Sequence, residues 1–563
     1  KFTSPSCTSS GGVETCRAKV NETVSFTSTS EGSPTSMGWF FGDGGSAADG
    51  TATHKWKQDG TYRVTLRIGR DGVEVSAFKD FVIDPRSIGK ASSGPVAQRS
   101  PAPDIPDLVL WSPQAGSNLV TITAHRPGEI DPLVAPLQIQ PLGAGELRLV
   151  PAVLGQLKTD GPATIVVEAG GNDPQPLMAI YQNAGPAAAF GDFVAGNVVQ
   201  GSAASAASAG KTTLTHVIGL NDDAARTSDF GVSNASPRRT HYNLRFLDNL
   251  GKVLDERLDQ ELPAFGHLLL DSETLRQRGI NGESDYRVEI ETLEGGPLVP
   301  FGNGRRLGSN DLSYLPGMQG GAGRQYLMAL IAGPSTVKGK GKGKASPIDW
   351  ATDLLLVNTG DAAMTVNVRF VGLVTKGLKS RPASIGETVQ AGDSVRLVDV
   401  VRGRLGVLAG AGMLVVESAG AGGSYPLVLG ETYNVIDRRF GQTAGAQNDS
   451  ELIHAGQTRL LFGLREDSLF RSALSFFNPG GGTAKAQLVY RGANGAVLSK
   501  INVSVGAGKL VQQGARDGGA LKKSFSGLFT IEVNATSGDL LVGGQLVRKS
   551  TGDTSFVASR ALP

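Results

Sequence analysis

Few residues in this chain have the types and spacing that catalysis requires. Residues 205–212 (SAASAGKT) come within one residue of a phosphate-binding P-loop. The first position, however, is Ser205 instead of Gly or Ala, and the segment after Lys211 is β-like where a P-loop continues into a helix. The sequence contains no H-E-x-x-H zinc motif and no G-x-S-x-G nucleophile elbow. These patterns do not predict nucleotide binding or hydrolysis.

The remaining candidate groups for chemistry are isolated. The tripeptide Gly392-Asp393-Ser394 superficially resembles a protease nucleophile segment, but it lies where a strand is predicted to begin. The six histidines show no pair at metal-ligand spacing; they are His54, His125, His216, His241, His267 and His454. Asp43 could contribute to a Ca²⁺ site, but no D-x-D-x-D series accompanies it, and the alternative is a turn residue. We therefore expect a protein that is not an enzyme and uses no cofactor or metal.

One loop carries a concentrated positive charge. Within residues 337–344 (VKGKGKGK), four lysines alternate with glycine: Lys338, Lys340, Lys342 and Lys344. Such a loop could bind polyanions, for example acidic polysaccharide, surface lipid or DNA. No aromatic residue lies between the lysines, so base stacking is not indicated. The alternative is a solvated insertion that binds nothing.

Composition restricts the partners and the compartment. The net charge of +2 gives no global field for nucleic acid, and no apolar run is long enough to span a membrane. Cys7 and Cys16 are the only cysteines, and their proximity predicts a small disulfide loop formed in an oxidising compartment, with two free thiols as the alternative. The 77 glycines lie between alternating apolar runs, which is typical of many turns joining short strands. We expect an extracellular protein, secreted or on the cell surface.

A strand-like motif recurs four times and defines the organisation of the chain. Its copies are residues 107–113 (DLVLWSP), 229–235 (DFGVSNA), 353–359 (DLLLVNT) and 473–479 (ALSFFNP). The equivalent positions Ser112, Asn234, Asn358 and Asn478 are 122, 124 and 120 residues apart (234−112, 358−234, 478−358). This period is the length of one β-sandwich domain. The recurring Asn side chain is expected to close a turn after a strand, with a repeated ligand contact as the alternative.

The N-terminal region carries a more specific pattern. Residues 37–44 (MGWFFGDG) contain a tight Gly-Asp-Gly turn, and residues 60–68 (GTYRVTLRI) alternate as a half-buried strand does. Together they resemble the PKD (polycystic-kidney-disease) repeat, with matches at Trp39, Phe41, Gly42, Asp43, Gly44, Gly60, Tyr62, Val64 and Leu66. The resemblance implies a small Ig-like β-sandwich, used in extracellular regions as a spacer or as an interaction or carbohydrate-contacting module.

The rest of the chain resembles, more loosely, tandem Ig-like sandwich repeats attached to bacterial secreted proteins. The predicted fold is thus all-β, a tandem array of five β-sandwich domains. The expected divisions are a PKD-like sandwich (1–87), a Pro/Ser-rich linker (88–106) and four modules (107–200, 201–320, 321–450 and 451–563).

A repeated array favours reach or multivalency over catalysis. We therefore expect a non-enzymatic structural or adhesive protein, either a surface stalk or a subunit of an extracellular fibre. Its expected partners are further copies of itself or a surface polysaccharide or matrix, and not nucleic acid. One alternative is the accessory C-terminal binding or spacer region of a secreted hydrolase. Another is an array of carbohydrate-binding modules that contacts glycans through exposed aromatics such as Trp39, Trp56, Trp111 and Trp350.

Overall fold

The fold is all-β, as the sequence predicts: about 61% of the chain is strand and 5% helix in the computed structural model. No helix among the described residues is long and apolar enough to cross a membrane. The four candidate lysines Lys338, Lys340, Lys342 and Lys344 lie outside the described residues. The described residues are 1–10, 13–85, 90–96, 105–126, 135–159, 161–171, 173–174, 176–184, 190–195, 197–199, 213–223, 226–280, 285–306, 312–320, 323–337, 346–373, 384–418, 425–436, 442–550, 552 and 554–562.

The N-terminal domain is a sandwich of two sheets around an aromatic core. One sheet contains, in spatial order, Phe2–Thr3, Val24–Ser28 and Thr51–His54. The other contains Cys7–Ser10, Val13–Lys19, Val73–Asp84, Gly60–Arg70, Ser36–Phe40 and Ser46–Ala47. Phe26, Trp39 and Trp56 fill the space between them and are fully buried. The predicted disulfide is confirmed, because Cys7 and Cys16 face each other across paired strands and are bonded.

The four modules that follow share one topology of eight strands. Sheet one has the spatial order fourth, third, sixth, first, and sheet two has the order fifth, second, seventh, eighth. Strands of module one are Lys90–Val96, Ile105–Trp111, Val120–His125, Leu137–Ile139, Leu147–Val150, Ala163–Ala169, Leu177–Ala184 and Phe190–Ala195. Strands of module two are Thr213–Leu220, Arg226–Asn234, Thr240–Leu247, Val253–Leu262, His267–Leu270, Tyr286–Glu294, Leu298–Arg306 and Leu312–Pro316.

The later modules repeat the same order. Strands of module three are Gln325–Val337, Ser346–Val357, Met364–Gly372, Ser384–Val389, Ser394–Leu397, Gly410–Ser418, Leu427–Asn434 and Gln442–Gly445. Strands of module four are Thr458–Glu466, Phe470–Phe477, Ala484–Gly492, Val497–Val505, Leu510–Gly514, Gly527–Ser537, Leu541–Arg548 and Thr554–Ala558. In module three the first two strands also pair with each other and join its two sheets.

Short elements complete each module. A brief helical segment lies between the fifth and sixth strands of every module: Val153–Gln156, Ser272–Gln277, Val400–Arg404 and Asp517–Gly519. In three modules a short strand that follows the eighth strand pairs with the first strand: Asn197–Val199, Gln447–Asn448 and Arg560–Ala561. In module two, His216 and Met318 form the corresponding bridge. One further helical turn is Asp449–Glu451.

The linker expected over residues 88–106 is wrong in part. Lys90–Val96 is the first strand of module one and pairs antiparallel with Ala163–Ala169. Its sequence, KASSGPV, lacks the apolar alternation that marks a half-buried strand, so the pattern did not reveal it. Hydrogen bonds to the neighbouring strand hold this segment in a strand, although its own residues have low strand propensity.

The modules pack into a closed ring, and not into an extended row. Sheet one of each module packs on sheet two of the next, and sheet one of module four packs on sheet two of module one. The eighth strands of successive modules contact one another around the centre, including those of modules four and one. The apolar contacts are Val166 with Phe265, Val217 with Leu355 and Leu429, Met413 with Phe477 and Leu541, and Phe462 with Val109 and Trp111.

A backbone contact repeats at three of these interfaces. The turn after the third strand of one module reaches the start of the fifth strand of the next. The Ser394 amide donates to the Asn249 carbonyl at 2.7 Å, and Leu373 forms a bridge with Leu510. One kind of head-to-tail contact therefore joins successive modules, and it closes after four copies. The N-terminal sandwich attaches to module two, where the Arg239 amide donates to Asp59 Oδ1 at 2.8 Å.

Candidate functional site

The Gly-Asp-Gly turn of the N-terminal sandwich is held by its own side chains. Gly42 has φ +85°, and a Cβ there would lie 3.0 Å from the Arg63 backbone. Asp43 Oδ1 accepts from the Gly45 amide at 3.0 Å, while Oδ2 lies 2.7 Å from His54 Nε2. The His54 ring stacks on Phe41 with centroids 4.1 Å apart. The two oxygens of Asp43 thus serve the turn and the adjoining strand.

The other matching positions of this domain also lie at the turn or beside its core. Trp39 Nε1 donates to the Asp49 carbonyl at 2.7 Å, and the Tyr62 hydroxyl donates to the Gln58 carbonyl at 3.3 Å. Gly44 has φ +91° and follows Asp43 in the same turn. The Trp39 and Tyr62 side chains thus donate to backbone carbonyls of the same sandwich.

The recurring asparagine ties three backbone segments together. Asn358 Nδ2 donates to the Ala362 carbonyl at 2.8 Å and to the Val389 carbonyl at 3.1 Å, and its Oδ1 accepts from the Gly360 amide. Asn478 makes the corresponding bonds in module four, and Asn234 does so with local variation in module two. All three side chains are buried. The turn-closing interpretation is therefore confirmed.

The alternative of glycan contact through exposed tryptophans is wrong. All four indoles are buried, none more than 7% exposed: Trp39, Trp56, Trp111 and Trp350. In module one, Trp111 packs against Phe462 of module four instead of facing solvent. The ring interfaces cover faces that would be exposed in an isolated sandwich.

Two phenylalanines on the N-terminal sandwich do face solvent. Phe40 is 44% exposed and Phe78 is 59% exposed, and both are in register with Thr65 on the strand between them. The Arg67 guanidinium lies 4.8 Å from the Phe40 ring centre, and that of Arg63 lies 4.3 Å from the Phe78 ring centre. We call this surface the aromatic face. Since Trp39 and Phe41 point inward, strand alternation already places Phe40 outward.

A buried charge cluster joins modules two and three. Arg396 Nε donates to Asp285 Oδ2 at 2.6 Å, and Arg226 Nη1 donates to Glu431 Oε2 at 2.9 Å. Burial disfavours the charge of Arg396, but Asp285 and Glu431 outweigh it and raise its pKa. Burial also raises the pKa of the Asp353 carboxyl, whose Oδ2 lies 3.6 Å from Arg396. No local sequence motif predicts this cluster, because its members come from two modules.

A cavity of about 500 Å³ lies where the eighth strands of modules two, three and four meet. Its polar lining includes Tyr314, Thr443, Gln447, Glu451 and Arg560. Thr443 Oγ1 and Gln447 Oε1 are buried and have no hydrogen-bond partner among the described residues. Burial raises the pKa of the Glu451 carboxyl and lowers the pKa of Arg560 to about 10. We call this feature the central cavity.

Comparisons with known proteins support the assignment of the N-terminal sandwich. Residues 5–81 match the family model of the PKD domain, which confirms that resemblance. No curated protein matches the chain. The PKD domain and the disulfide fit an extracellular protein.

Two solved structures with some likeness to the chain are distant from it in sequence. One is described as the structural basis for the promiscuous specificity of carbohydrate-binding modules from the β-sandwich superfamily; it is 12% identical, covers 56% of this chain and 96% of that one, and has a TM-score of 0.13. Another is Escherichia coli α-2-macroglobulin activated by porcine elastase, which is 10% identical, covers 97% of this chain and has a TM-score of 0.10. The chain spans about half (52%) of that protein.

Proposed function

We propose that the protein is a non-enzymatic, extracellular adhesive protein in which the four-module ring is a rigid scaffold and the PKD domain presents the contact surface. The observation that carries this proposal is the aromatic face, with Phe40 and Phe78 exposed beside Arg67 and Arg63. Exposed aromatic groups of this size cost free energy in water unless a partner covers them. The face therefore fits a contact surface better than a spacer.

Ring closure favours a compact scaffold over an extended stalk. The sheet faces that could join modules of different chains are already used within one chain, as Phe462 and Trp111 illustrate. The outer edge strand Val253–Leu262 of module two carries Asp255, Glu256 and Arg257, and charges on an edge oppose pairing with another chain. Both features weigh against a fibre built from these modules.

The proposed partner is a surface or matrix polysaccharide. Phe40 and Phe78 lie two strands apart, roughly 10 Å, so one linear polymer could contact both rings. The apolar faces of sugar rings stack on aromatic rings, and the Arg67 guanidinium can donate hydrogen bonds to hydroxyl or carboxylate groups. The Arg63 guanidinium already donates from Nε and Nη2 to Asp80 and holds its place beside Phe78.

The test is polysaccharide binding by a Phe40→Ser/Phe78→Ser double variant. Wild-type protein is compared with it in pull-down on insoluble cellulose and chitin and in affinity electrophoresis on alginate and pectin. The matched control is Leu254→Ser/Leu258→Ser, which removes two exposed apolar side chains from the ring. We expect only the aromatic-face variant to lose binding. Equal binding by all three proteins, or no binding by any, would reject the proposal.

A further inference from the structure

The central cavity has the features of a binding site. It is separate from the aromatic face. It is formed by three modules at once, since Tyr314, Thr443 and Phe556 belong to the eighth strands of modules two, three and four. Its volume of about 500 Å³ lies within the range of small-molecule sites, roughly 300–1,000 Å³.

Two polar side chains of the lining have atoms with no hydrogen-bond partner within the described ranges of the chain. Thr443 is 8% exposed and Gln447 is 3% exposed, and neither Thr443 Oγ1 nor Gln447 Oε1 is hydrogen-bonded among the described residues. A buried polar atom without a partner costs about 1–3 kcal/mol. Thr443 lies in the eighth strand of module three and Gln447 in the short strand that follows it, so one ligand in the cavity could satisfy both.

The charges of the lining indicate a neutral ligand. Glu451 and Arg560 contribute one potential charge of each sign, so the cavity has no excess that favours an anion or a cation. The remaining polar side chains of the lining are one phenol, two hydroxyls and four amides, which can both donate and accept: Tyr314, Thr215, Thr443, Gln319, Gln325, Gln447 and Asn448. The rings of Tyr314 and Phe556 add apolar surface. A ligand that matches this lining carries many hydroxyl groups, no net charge and at least one apolar face.

We propose that the central cavity binds a neutral carbohydrate of one or two sugar rings through Thr443 and Gln447. The sugar hydroxyls donate to Gln447 Oε1 and exchange hydrogen bonds with Thr443 Oγ1. This site is independent of polymer adhesion at the aromatic face, and a protein could have either one without the other.

The experiment is isothermal titration calorimetry of the full chain with glucose, galactose, mannose, N-acetylglucosamine, maltose and lactose. We expect at least one of them to bind. Thr443→Val and Gln447→Leu should each weaken that binding roughly tenfold, the effect of about one lost hydrogen bond. The matched control is Thr530→Val, because Thr530 Oγ1 is also buried and has no hydrogen-bond partner in the part of the chain that the structure describes, but it does not line the cavity.

Three results would overturn the inference. One is the absence of binding by every sugar tested. Another is binding that Thr443→Val and Gln447→Leu leave unchanged, which would place the sugar elsewhere. The third is tighter binding of gluconate or glucosamine than of glucose, which would contradict a neutral ligand. Because the aromatic-face double variant retains the cavity, it should bind the small sugar as wild type does, so the two proposals fail separately.

Discussion

The amide of Leu147 in module one donates a hydrogen bond of 2.8 Å to the carbonyl oxygen of Ala493 in module four. The two residues are far apart in the sequence, yet this bond belongs to the same class as the bond from Ser394 to Asn249 between modules three and two. The last module thus meets the first as module two meets module three. A contact that closes after four copies gives a finite particle and leaves no unused interface of that kind.

Ring closure predicts that its apolar contact stabilises the whole particle. Phe462 of module four is 2% exposed and packs on Val109 and Trp111 of module one. Phe462→Ala should lower the free energy of unfolding by about 3 kcal/mol or more, the usual cost of a buried Phe→Ala change. Calorimetric unfolding measures this loss of stability. If the ring opens, small-angle scattering should also show a larger radius of gyration. Leu258→Ala, at an exposed site, is the control and should change stability by less than about 0.5 kcal/mol. Equal effects of the two changes would contradict a stabilising closure.

The recurring asparagine predicts a large cost for its removal. Asn358→Ala would leave the Ala362 and Val389 carbonyls and the Gly360 amide without their side-chain partner. We expect a loss of about 3 kcal/mol in the free energy of unfolding, because buried groups left unpaired cost about 1–3 kcal/mol each. Denaturant unfolding measures this loss. Asn502→Ala, on an exposed position of module four, should have almost no effect. A loss under about 1 kcal/mol for Asn358→Ala would refute the turn-closing role.

The buried charge cluster predicts different effects for inner and outer arginines. Arg396→Met would leave Asp285 and Glu431 with less compensation between modules two and three, and breaking such a buried pair costs about 3–5 kcal/mol. Arg404→Met removes only the more exposed pair with Glu387, which is worth at most about 1 kcal/mol. Thermal unfolding of both variants checks this difference. Similar shifts in melting temperature would show that the cluster does not hold the interface.

Local patterns predicted the strands and the turn-closing Asn residues because both depend on short-range geometry. Alternation in residues 364–370 (MTVNVRF), for example, matches the strand Met364–Gly372. The patterns do not predict the strand Lys90–Val96, because its strand conformation depends on its partner Ala163–Ala169 and not on its own residues. The sequence alone did not separate a linker from such a strand.

The ring was harder to predict because its contacts join distant segments. One signal was present: the strand Leu427–Asn434 is buried along its whole length, and its apolar run LVL does not alternate. A continuous apolar strand indicates burial on both faces. Such a run shows that something covers the outer face, but it does not identify the partner as another module. The central cavity could not be predicted for the same reason, since Tyr314, Thr443 and Arg560 come together only when the ring closes.

Buried histidines predict that the protein loses stability in acid. His267 in module two lies 2.7 Å from Ser233 Oγ and 3.5 Å from Thr164 Oγ1 of module one, and burial lowers its pKa to about 3. Burial, together with Arg287, also lowers the pKa of His216 to about 4. In the unfolded chain these groups bind protons below a pH of about 6.5, while the folded protein keeps them neutral. Acid therefore favours unfolding.

The pH window follows from these pKa values. The free energy of unfolding should be unaffected by His267 above pH about 6.5 and should fall as the pH drops from there towards about 3. His267→Gln removes the titrating group, so its melting temperature should depend less steeply on pH between 6.5 and 4 than that of wild type. His454→Gln, at an exposed histidine, controls for the substitution itself. If the melting temperatures of wild type and His267→Gln change equally with pH across this range, His267 is not a source of acid sensitivity at the interface of modules one and two.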